Sequence, residues 1–210
     1  MSIFGCNSNN EESAKIETPA QEEKIISEKK EFQNGDIIFH TSLSNQSLAI
    51  QIATNSKYSH MGIIYREGEE FYVYEAVQPV KLTPIKEWIN RGEKKHYVVR
   101  RLKTSEDILT PDGISKMKKI GKKYLGKSYD SKFEWSDDKI YCSELVWKIY
   151  KKAFDLEIGK LQKIKDFDLS DSVVQAKLKE RYGNKIPMEE LVITPDGMFN
   201  AKELKTVIER

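Results

Sequence analysis

Cysteine is scarce in this 210-residue sequence, which has only Cys6 and Cys142, and histidine occurs three times. Two cysteines this far apart do not form a disulfide scaffold, and one interior cysteine with scattered histidines gives no common zinc-ligand spacing. The sequence also lacks a glycine-rich phosphate loop and an apolar run of membrane-spanning length. The formal net charge of +2 gives no global electrostatic case for nucleic-acid binding. We therefore expect no metal site, no cofactor and no nucleic-acid partner.

The first 33 residues have few large apolar side chains and are rich in Asn, Ser, Glu, Lys and Gln. Because such segments bury little surface, we predict a flexible tail over 1–33 and one domain over 34–210. Gly5-Cys6 and the polar spacer after it resemble a bacterial lipoprotein cleavage box, but the expected preceding apolar run is missing. Two interpretations stay open: a protein lipid-anchored through Cys6 at the cell envelope, or a chance match in a cytoplasmic protein.

One helix start carries the interior cysteine. A polar turn and a short apolar stretch precede Cys142, and apolar residues then recur at helical spacing, which predicts a helix over 142–154. The unpaired N–H groups and the positive end of the dipole at a helix start both favour thiolate over thiol. A buried structural cysteine is the alternative, and for an arbitrary lone cysteine it is the better one.

A hairpin signal brings a histidine and a glutamate together. Two β-branched and aromatic segments, over 58–65 and 71–77, flank a charged stretch with a glycine. A two-residue turn at Glu67-Gly68 would make His60 and Glu75 direct cross-strand neighbours, with β-carbons roughly 5 Å apart. His60 alone is equally well explained as a core histidine, but a carboxylate in an apolar strand needs a partner.

The other two histidines, His40 and His96, lie outside comparable patterns, and we interpret both as surface residues. The remaining three side chains suggest a division of roles. Cys142 would attack a carbonyl carbon, His60 would move the proton, and Glu75 would orient the imidazole. The backbone N–H of Cys142 can donate to a developing oxyanion. Aromatic residues expected near the thiol, with oxyanion or substrate-binding roles, are Tyr58, Tyr129, Trp135 and Tyr141.

These residues lie in segments that resemble the YaeF/YiiX group of permuted papain-like amidases, a circularly permuted branch of the NlpC-type cysteine peptidases. The resemblance runs from about Gly35 to about Pro195 and is specific in combination. Its matching segments are Gly35–Phe39, Ser59–Ile63, Tyr74–Ala76, Tyr124–Asp130, Phe133–Trp135 and Tyr141–Val146.

The resemblance implies catalytic roles at Cys142, His60 and Glu75, the positions that the residue patterns also indicate. It implies a permuted papain-like fold of the α+β class, with an antiparallel sheet and the cysteine at the N-terminus of a packed helix. It also implies kinship with the lecithin-retinol acyltransferase group, which acts on acyl lipids.

Three functions remain in competition. The first is a thiol amidase or peptidase that cleaves a peptide or another amide of the cell envelope, and the amphipathic aromatic side chains favour it. The second is an acyl-lipid hydrolase or acyltransferase, which would need a deep apolar channel leading from Cys142. The third is a binding module with a silent triad.

Two Thr-Pro pairs mark expected helix starts. Thr83-Pro84 would begin a helix over 85–90, and Thr110-Pro111 one that runs to about Leu125. The lysines between 116 and 123 are expected on a solvated face of the second helix. The last segment, Ala201 to Glu209, is predicted to be helical.

Overall fold

The structure is a computed structural model that describes residues 31–210. Residues 1–30, including Cys6 and most of the predicted tail, lie outside the described residues, and the tail boundary stays a prediction. Phe32–Arg210 forms one compact unit.

A six-stranded antiparallel sheet forms the centre of this unit. Its strands are β1 Ile37–His40, β2 His60–Glu67, β3 Glu70–Glu75, β4 Lys81–Pro84, β5 Val98–Leu102 and β8 Leu204–Glu209. They lie side by side in the order β4-β3-β2-β1-β5-β8. A separate two-stranded sheet pairs β6 Gln162–Lys163 with β7 Leu191–Val192.

Helices cover the sheet and fill the connections. They are α1 Ser47–Thr54, α2 Ile85–Asn90, α3 Ser105–Ile108, α4 Pro111–Gly121, α5 Cys142–Phe154, α6 Ser172–Tyr182 and α7 Pro195–Phe199, with 3₁₀ turns at Glu93–Lys95 and Ile164–Asp166. Within residues 31–210, no helix is long and apolar enough to cross a membrane.

The alternation of side chains along β1 divides the core into two parts. Ile37 and Phe39 are fully buried among the apolar residues of α5, whereas Ile38 is fully buried in a second cluster with Trp88 of α2. Successive strand residues point to opposite faces, so this pattern requires that both faces be covered. The helix α5 contacts β2 and α4. The expected α+β class with an antiparallel sheet and a packed cysteine helix is confirmed.

The helix over 142–154 is as predicted, and Thr110 caps α4, since its Oγ1 accepts a hydrogen bond from the Gly113 N–H at 3.2 Å. However, α4 ends at Gly121, and turns replace the helix to residue 125. Thr83 lies in β4 and does not cap α2.

The predicted C-terminal helix is wrong, because that segment contains the edge strand β8. Its β-branched run at 206–208 suits a strand, and pairing with β5 satisfies its backbone groups. The pairing shifts register between Val99 and Arg100: Val99 pairs with Ile208 but Arg100 pairs with Thr206, so Val207 is the extra residue of an irregularity in β8.

Candidate active site

Cys142 is the first residue of α5 and is 3% exposed. Two side chains of the first turn hold this helix start in place. The Tyr141 N–H donates to Glu144 Oε2 at 3.3 Å, and Ser143 Oγ donates to the Ile193 carbonyl at 2.7 Å. The thiol therefore sits at a fixed helix N-terminus, where free backbone N–H groups and the helix dipole favour negative charge.

The β2–β3 hairpin places His60 beside Glu75, although its register differs from the prediction. Glu67 pairs with Glu70, so the turn is Gly68-Glu69, with Gly68 at φ +61°. Glu75 is therefore diagonal to His60 and not directly opposite. Moving the turn by one residue changes each pairing by two, so both side chains stay on the same face of the sheet. The expected contact is confirmed: His60 Nε2 lies 2.6 Å from Glu75 Oε2.

Gly62 makes room for this diagonal contact. In the observed register it lies opposite Glu75, and a β-carbon at position 62 would lie 2.5 Å from Val73 Cγ1 and 3.3 Å from Glu75 Cβ. A side chain there would displace the strand that carries the carboxylate, so the site depends on this glycine.

Three further side chains donate to Glu75, and the sequence patterns did not reveal them. Thr83 Oγ1 lies 2.6 Å from Oε1 and Trp88 Nε1 lies 2.9 Å from Oε2, while Arg91 NH2 contacts Oε1. With His60, four donors surround a carboxylate that is fully buried. These three side chains reach Glu75 because β4 pairs with β3 and α2 follows β4 directly. A predicted third strand next to the hairpin is the sequence feature that could have indicated them.

The electrostatics of the pair follow from these contacts. Burial would raise the pKa of Glu75, but the hydrogen bond and charge of His60, with the contacts to Thr83 and Arg91, lower it to about 2. Burial would likewise lower the pKa of His60, but hydrogen bonds to Cys142 and Glu75, and their charges, raise it to about 9. Because Glu75 engages Nε2, the ring nitrogen left for the thiol is Nδ1. The arrangement favours a protonated imidazole, an imidazolium, at His60.

His40 is buried, so its interpretation as a surface residue was wrong. Only 2% of it is exposed, and its ring stacks on Trp88 at a centroid distance of 3.8 Å and lies 5.4 Å from the His60 ring. Burial, with the positive charges of His60 and Arg91, lowers the pKa of His40 to about 2, so this imidazole is neutral. His96 does lie at the surface, with 36% of its side chain exposed.

An apolar cavity of about 110 Å³ reaches Cys142 from the side of α1 and α6. Most of its lining is aliphatic or aromatic. The side chains around it include Ala49, Ile50, Ala53, Phe133, Ile164, Leu169, Val174, Leu178 and Val192, with Lys177 and Arg181 at α6. The cavity therefore offers an uncharged chain a path to the thiol.

A second, more open space lies on the histidine side of the site. We call it the polar cleft because eight of its eleven lining residues are polar: His40, Ser42, Ser44, Gln46, His60, Gln78, Arg91 and Tyr129. Leu43, Ala76 and Val77 complete the lining, and the volume is about 540 Å³. Tyr129 lines both the polar cleft and the apolar cavity, so its side chain lies where the two spaces meet. Its backbone is fixed by the Gln78 side chain at 2.6 Å and by a bridge to Ile140, two residues before the cysteine.

Only two of the four predicted aromatic residues line a space at the candidate site. Tyr129 and Tyr141 line the apolar cavity with Cys142, but the Tyr141 hydroxyl accepts a hydrogen bond from the Ile193 N–H at 3.2 Å. Tyr58 packs in the core, with its ring centroid 4.2 Å from that of Phe199, and lines neither of the two spaces. Trp135 packs against Trp147 at 5.3 Å and also lines neither. Tyr58 and Trp135 pack against other aromatic rings, and their substrate-binding roles stay a prediction.

Two relatives from Escherichia coli resemble the whole domain. The uncharacterized protein YiiX of strain K12 is 53% identical over 175 residues, which cover 83% of this chain and 85% of that protein. A crystal structure titled as the metalloprotein yiiX of strain O157:H7 is 52% identical, with a TM-score of 0.81, and the match covers 85% of this chain and 97% of that one.

The word metalloprotein in that title concerns the relative, and the residues of this chain do not fit a metal ion at the site. Over residues 31–210, no group of three or more His, Cys, Asp or Glu side chains is placed to hold one. Both Glu75 oxygens already accept hydrogen bonds, two of them from Arg91 and Trp88, which cannot act as metal ligands.

The family model described as permuted papain-like amidase enzyme, YaeF/YiiX, C92 family, matches residues 31–208. This range contains the cysteine helix, the hairpin with His60 and Glu75, and the residues that line the apolar cavity and the polar cleft. The match agrees with the mixed fold and with the similarity to the E. coli structure. The chain therefore belongs to the YaeF/YiiX family of permuted papain-like amidases.

Proposed function

We propose that this protein is a cysteine hydrolase that cleaves an amide bond with Cys142, His60 and Glu75 as its triad. The observation that carries the proposal is the 2.6 Å contact between His60 Nε2 and a fully buried Glu75, with the other ring nitrogen left for the thiol. A carboxylate that engages one imidazole nitrogen fixes the tautomer and stabilises the imidazolium, which is the third role in a triad. The family membership supports a cysteine hydrolase in general.

In this mechanism the Cys142 thiolate attacks the amide carbonyl carbon and forms a C–S bond. The backbone N–H of Cys142 and the Tyr129 hydroxyl are the donors that we assign to the oxyanion. His60 then gives its proton to the leaving nitrogen, the C–N bond breaks, and an acyl-thioester remains on Cys142. A water molecule loses a proton to His60 and attacks the thioester, which releases the carboxylic acid and restores the thiolate.

The preferred substrate class is a peptide or another amide of the cell envelope. The polar cleft beside His60 supports this choice, because Gln78 and Ser42 offer donors and acceptors for a peptide backbone. Full-length protein should be incubated with short fluorogenic peptide amides and with acyl esters. We expect amide cleavage that Cys142→Ala abolishes and that Cys6→Ser, the matched change at the other cysteine, leaves intact. Turnover that survives Cys142→Ala would reject every thiol mechanism, and wild-type protein that neither turns over substrate nor forms an adduct would indicate a binding module.

A second candidate function, acyl-lipid hydrolysis or acyl transfer, is favoured by the apolar cavity that reaches Cys142. The variant Ala53→Phe would fill this cavity from α1, whereas Ala176→Phe adds the same ring at an exposed position of α6. If an acyl chain occupies the cavity, Ala53→Phe should raise KM for long-chain substrates and spare short ones, and Ala176→Phe should do neither. Equal KM values for long-chain substrates in the wild type, Ala53→Phe and Ala176→Phe would exclude the acyl-lipid function.

A location at the cell envelope is also a proposal, supported by the Gly5-Cys6 motif alone. Metabolic labelling of cells with a fatty-acid analogue tests it. Label incorporated by the wild type and lost in Cys6→Ser would support a lipid anchor, and unlabelled wild-type protein would favour a cytoplasmic enzyme.

A further inference from the structure

The direction of the hydrogen bonds around Tyr129 can be deduced from the chemistry of its neighbours. Arg181 NH2 lies 2.6 Å from Gln46 Oε1, and Gln46 Nε2 lies 2.8 Å from the Tyr129 hydroxyl oxygen. A guanidinium can only donate, so the Gln46 carbonyl oxygen must face Arg181 and the amide NH₂ must face Tyr129. The tyrosine hydroxyl therefore accepts from Gln46 and keeps its own proton for another acceptor.

The hydroxyl belongs to a side chain that lines the same spaces as Cys142 and His60. Tyr129 lines the apolar cavity together with Cys142 and the polar cleft together with His60. Over residues 31–210, the hydroxyl has no other hydrogen-bond partner than Gln46. Burial, with a smaller contribution from the charge of Cys142, raises the pKa of the Tyr129 phenol, so the hydroxyl stays protonated.

The two residues that set this direction come from separate elements. Gln46 immediately precedes α1 and Arg181 belongs to the last turn of α6, and these two helices are in contact. Arg181 is held in place by a second interaction, since its guanidinium lies 4.5 Å from the centroid of the Phe133 ring. The ring belongs to the same loop as Tyr129, so α1, α6 and this loop are tied together at one point.

We propose that Gln46 and Arg181 are positioning residues that hold the Tyr129 hydroxyl as a hydrogen-bond donor toward the substrate carbonyl oxygen. This inference rests on the proposed function. Neither residue needs to touch the reacting atoms: Arg181 fixes the orientation of the Gln46 amide, and the amide fixes the hydroxyl. Both should affect the chemical step and leave substrate binding unchanged.

The variant Gln46→Glu tests the direction of the bond directly. A glutamate has the same length and can still accept from Arg181, but its second oxygen accepts as well, so the Tyr129 O–H would turn toward it. We expect kcat to fall by up to about 10²-fold, the loss that follows removal of one oxyanion donor, with KM unchanged. Gln175→Glu, the same substitution at an exposed position of α6, should leave kcat unchanged.

A double-variant comparison shows whether the effect passes through the hydroxyl. Tyr129→Phe alone should lower kcat to a similar degree, and adding Gln46→Glu to Tyr129→Phe should cause no further loss. An unchanged kcat in Gln46→Glu, a change confined to KM, or a full additional loss in the Tyr129→Phe background would overturn the inference.

Arg181 provides a second test that does not depend on the folding of Gln46→Glu. Arg181→Lys can still donate to the Gln46 oxygen and should keep most of the turnover, whereas Arg181→Met should lose it, with thermal unfolding measured for both. Equal turnover in these two variants would contradict the inference. Cys142→Ala separates this result from the proposed function: turnover that survives it rejects the thiol mechanism, whereas a dead Cys142→Ala with an active Gln46→Glu rejects only the positioning role.

Discussion

Two buried glutamates beside the site have opposite tendencies to ionise. Glu75 contacts His60, and Glu144 lies in the first turn of the helix that begins at Cys142, and both are fully buried. The pKa of Glu75 is lowered to about 2 against the effect of its burial, whereas burial raises the pKa of Glu144 to about 7 against the opposing effect of Lys148. Burial alone therefore does not decide the charge of a carboxyl group.

The number of donors explains the difference. Glu75 accepts four hydrogen bonds from side chains, two of them from groups that carry or can carry positive charge. Glu144 has one cationic partner, Lys148 Nζ at 2.7 Å, and one long bond from the Tyr141 N–H at 3.3 Å. Lys148 is also shared with Asp137 at 2.9 Å. The surroundings of Glu75 stabilise the ionised carboxylate that contacts His60, whereas Glu144 mainly anchors the start of α5.

The largest effect on turnover should come from replacing Glu75 by glutamine, with the same substitution at Glu144 as the comparison. Glu75→Gln removes the charge that stabilises the imidazolium, so turnover should fall by roughly 10³- to 10⁴-fold. Glu144→Gln should change turnover little, since its carboxyl does not contact His60 and lines neither the apolar cavity nor the polar cleft. Steady-state kinetics on a cleaved amide, with circular dichroism as the folding control, measures both. Similar losses of turnover in the two folded variants would contradict the different roles assigned to Glu75 and Glu144.

The pH dependence of stability should show the His60 interaction. A histidine with a pKa raised from 6.5 to about 9 stabilises the fold fully below pH 6.5 and loses that contribution as the pH rises through 9. The difference between these two pKa values corresponds to roughly 3 kcal/mol in the free energy of unfolding. Urea unfolding between pH 6 and 10 should show this decline, and Cys142→Ala should flatten it because the thiol partner is gone. The same pH dependence of unfolding in the wild type and in Cys142→Ala would contradict the contact between His60 and Cys142.

The two carboxyl groups should give opposite slopes at lower pH. Because the pKa of Glu144 rises from 4.5 to about 7 on folding, stability should fall as the pH increases through that window, and Glu144→Gln should remove the fall. The pKa of Glu75 is lowered to about 2, so its contribution is present above pH 4.5 and is lost as the pH falls through 2. Urea unfolding from pH 3 to 7 tests both, and a Glu144→Gln curve parallel to the wild type would refute the assignment.

The smallest effect should come from removing one of the Glu75 donors. Arg91→Met eliminates the Arg91 contact to Oε1 but leaves the other three donors. Because 39% of the arginine side chain is exposed, the free energy of unfolding should drop by about 1.5 kcal/mol, the low end for a charged hydrogen bond. Turnover should fall far less than in Glu75→Gln. Arg66→Met, at an exposed ion pair with Glu69, is the control and should change neither quantity.

The sequence allowed the cysteine helix and the His60–Glu75 contact to be predicted because both depend on local periodicity. The turn was placed one residue too early, yet side-chain faces alternate with a period of two, so the contact survived the error. Thr83, Trp88 and Arg91 could not be found in this way, since a third strand and the helix after it bring them to the carboxylate.

Other features depend on packing between distant segments. The strand β8 was taken for a helix because its partner, β5, lies about 100 residues earlier and no turn links the two. His40 was placed at the surface because the stacking on Trp88 is a tertiary contact. The apolar cavity likewise lies between α1, α6 and the loop before Cys142, and no local pattern describes its shape.

The pH dependence of Cys142 alkylation tests the central claim most directly. In a Cys6→Ser background Cys142 is the single cysteine, so the rate of reaction with iodoacetamide between pH 5 and 10 reports on this thiol alone. A thiolate paired with the imidazolium of His60, itself held by Glu75, should react rapidly already near pH 6 to 7, and His60→Ala should lose this reactivity. A rate that climbs only around pH 8.5, as for a free thiol, would contradict the account.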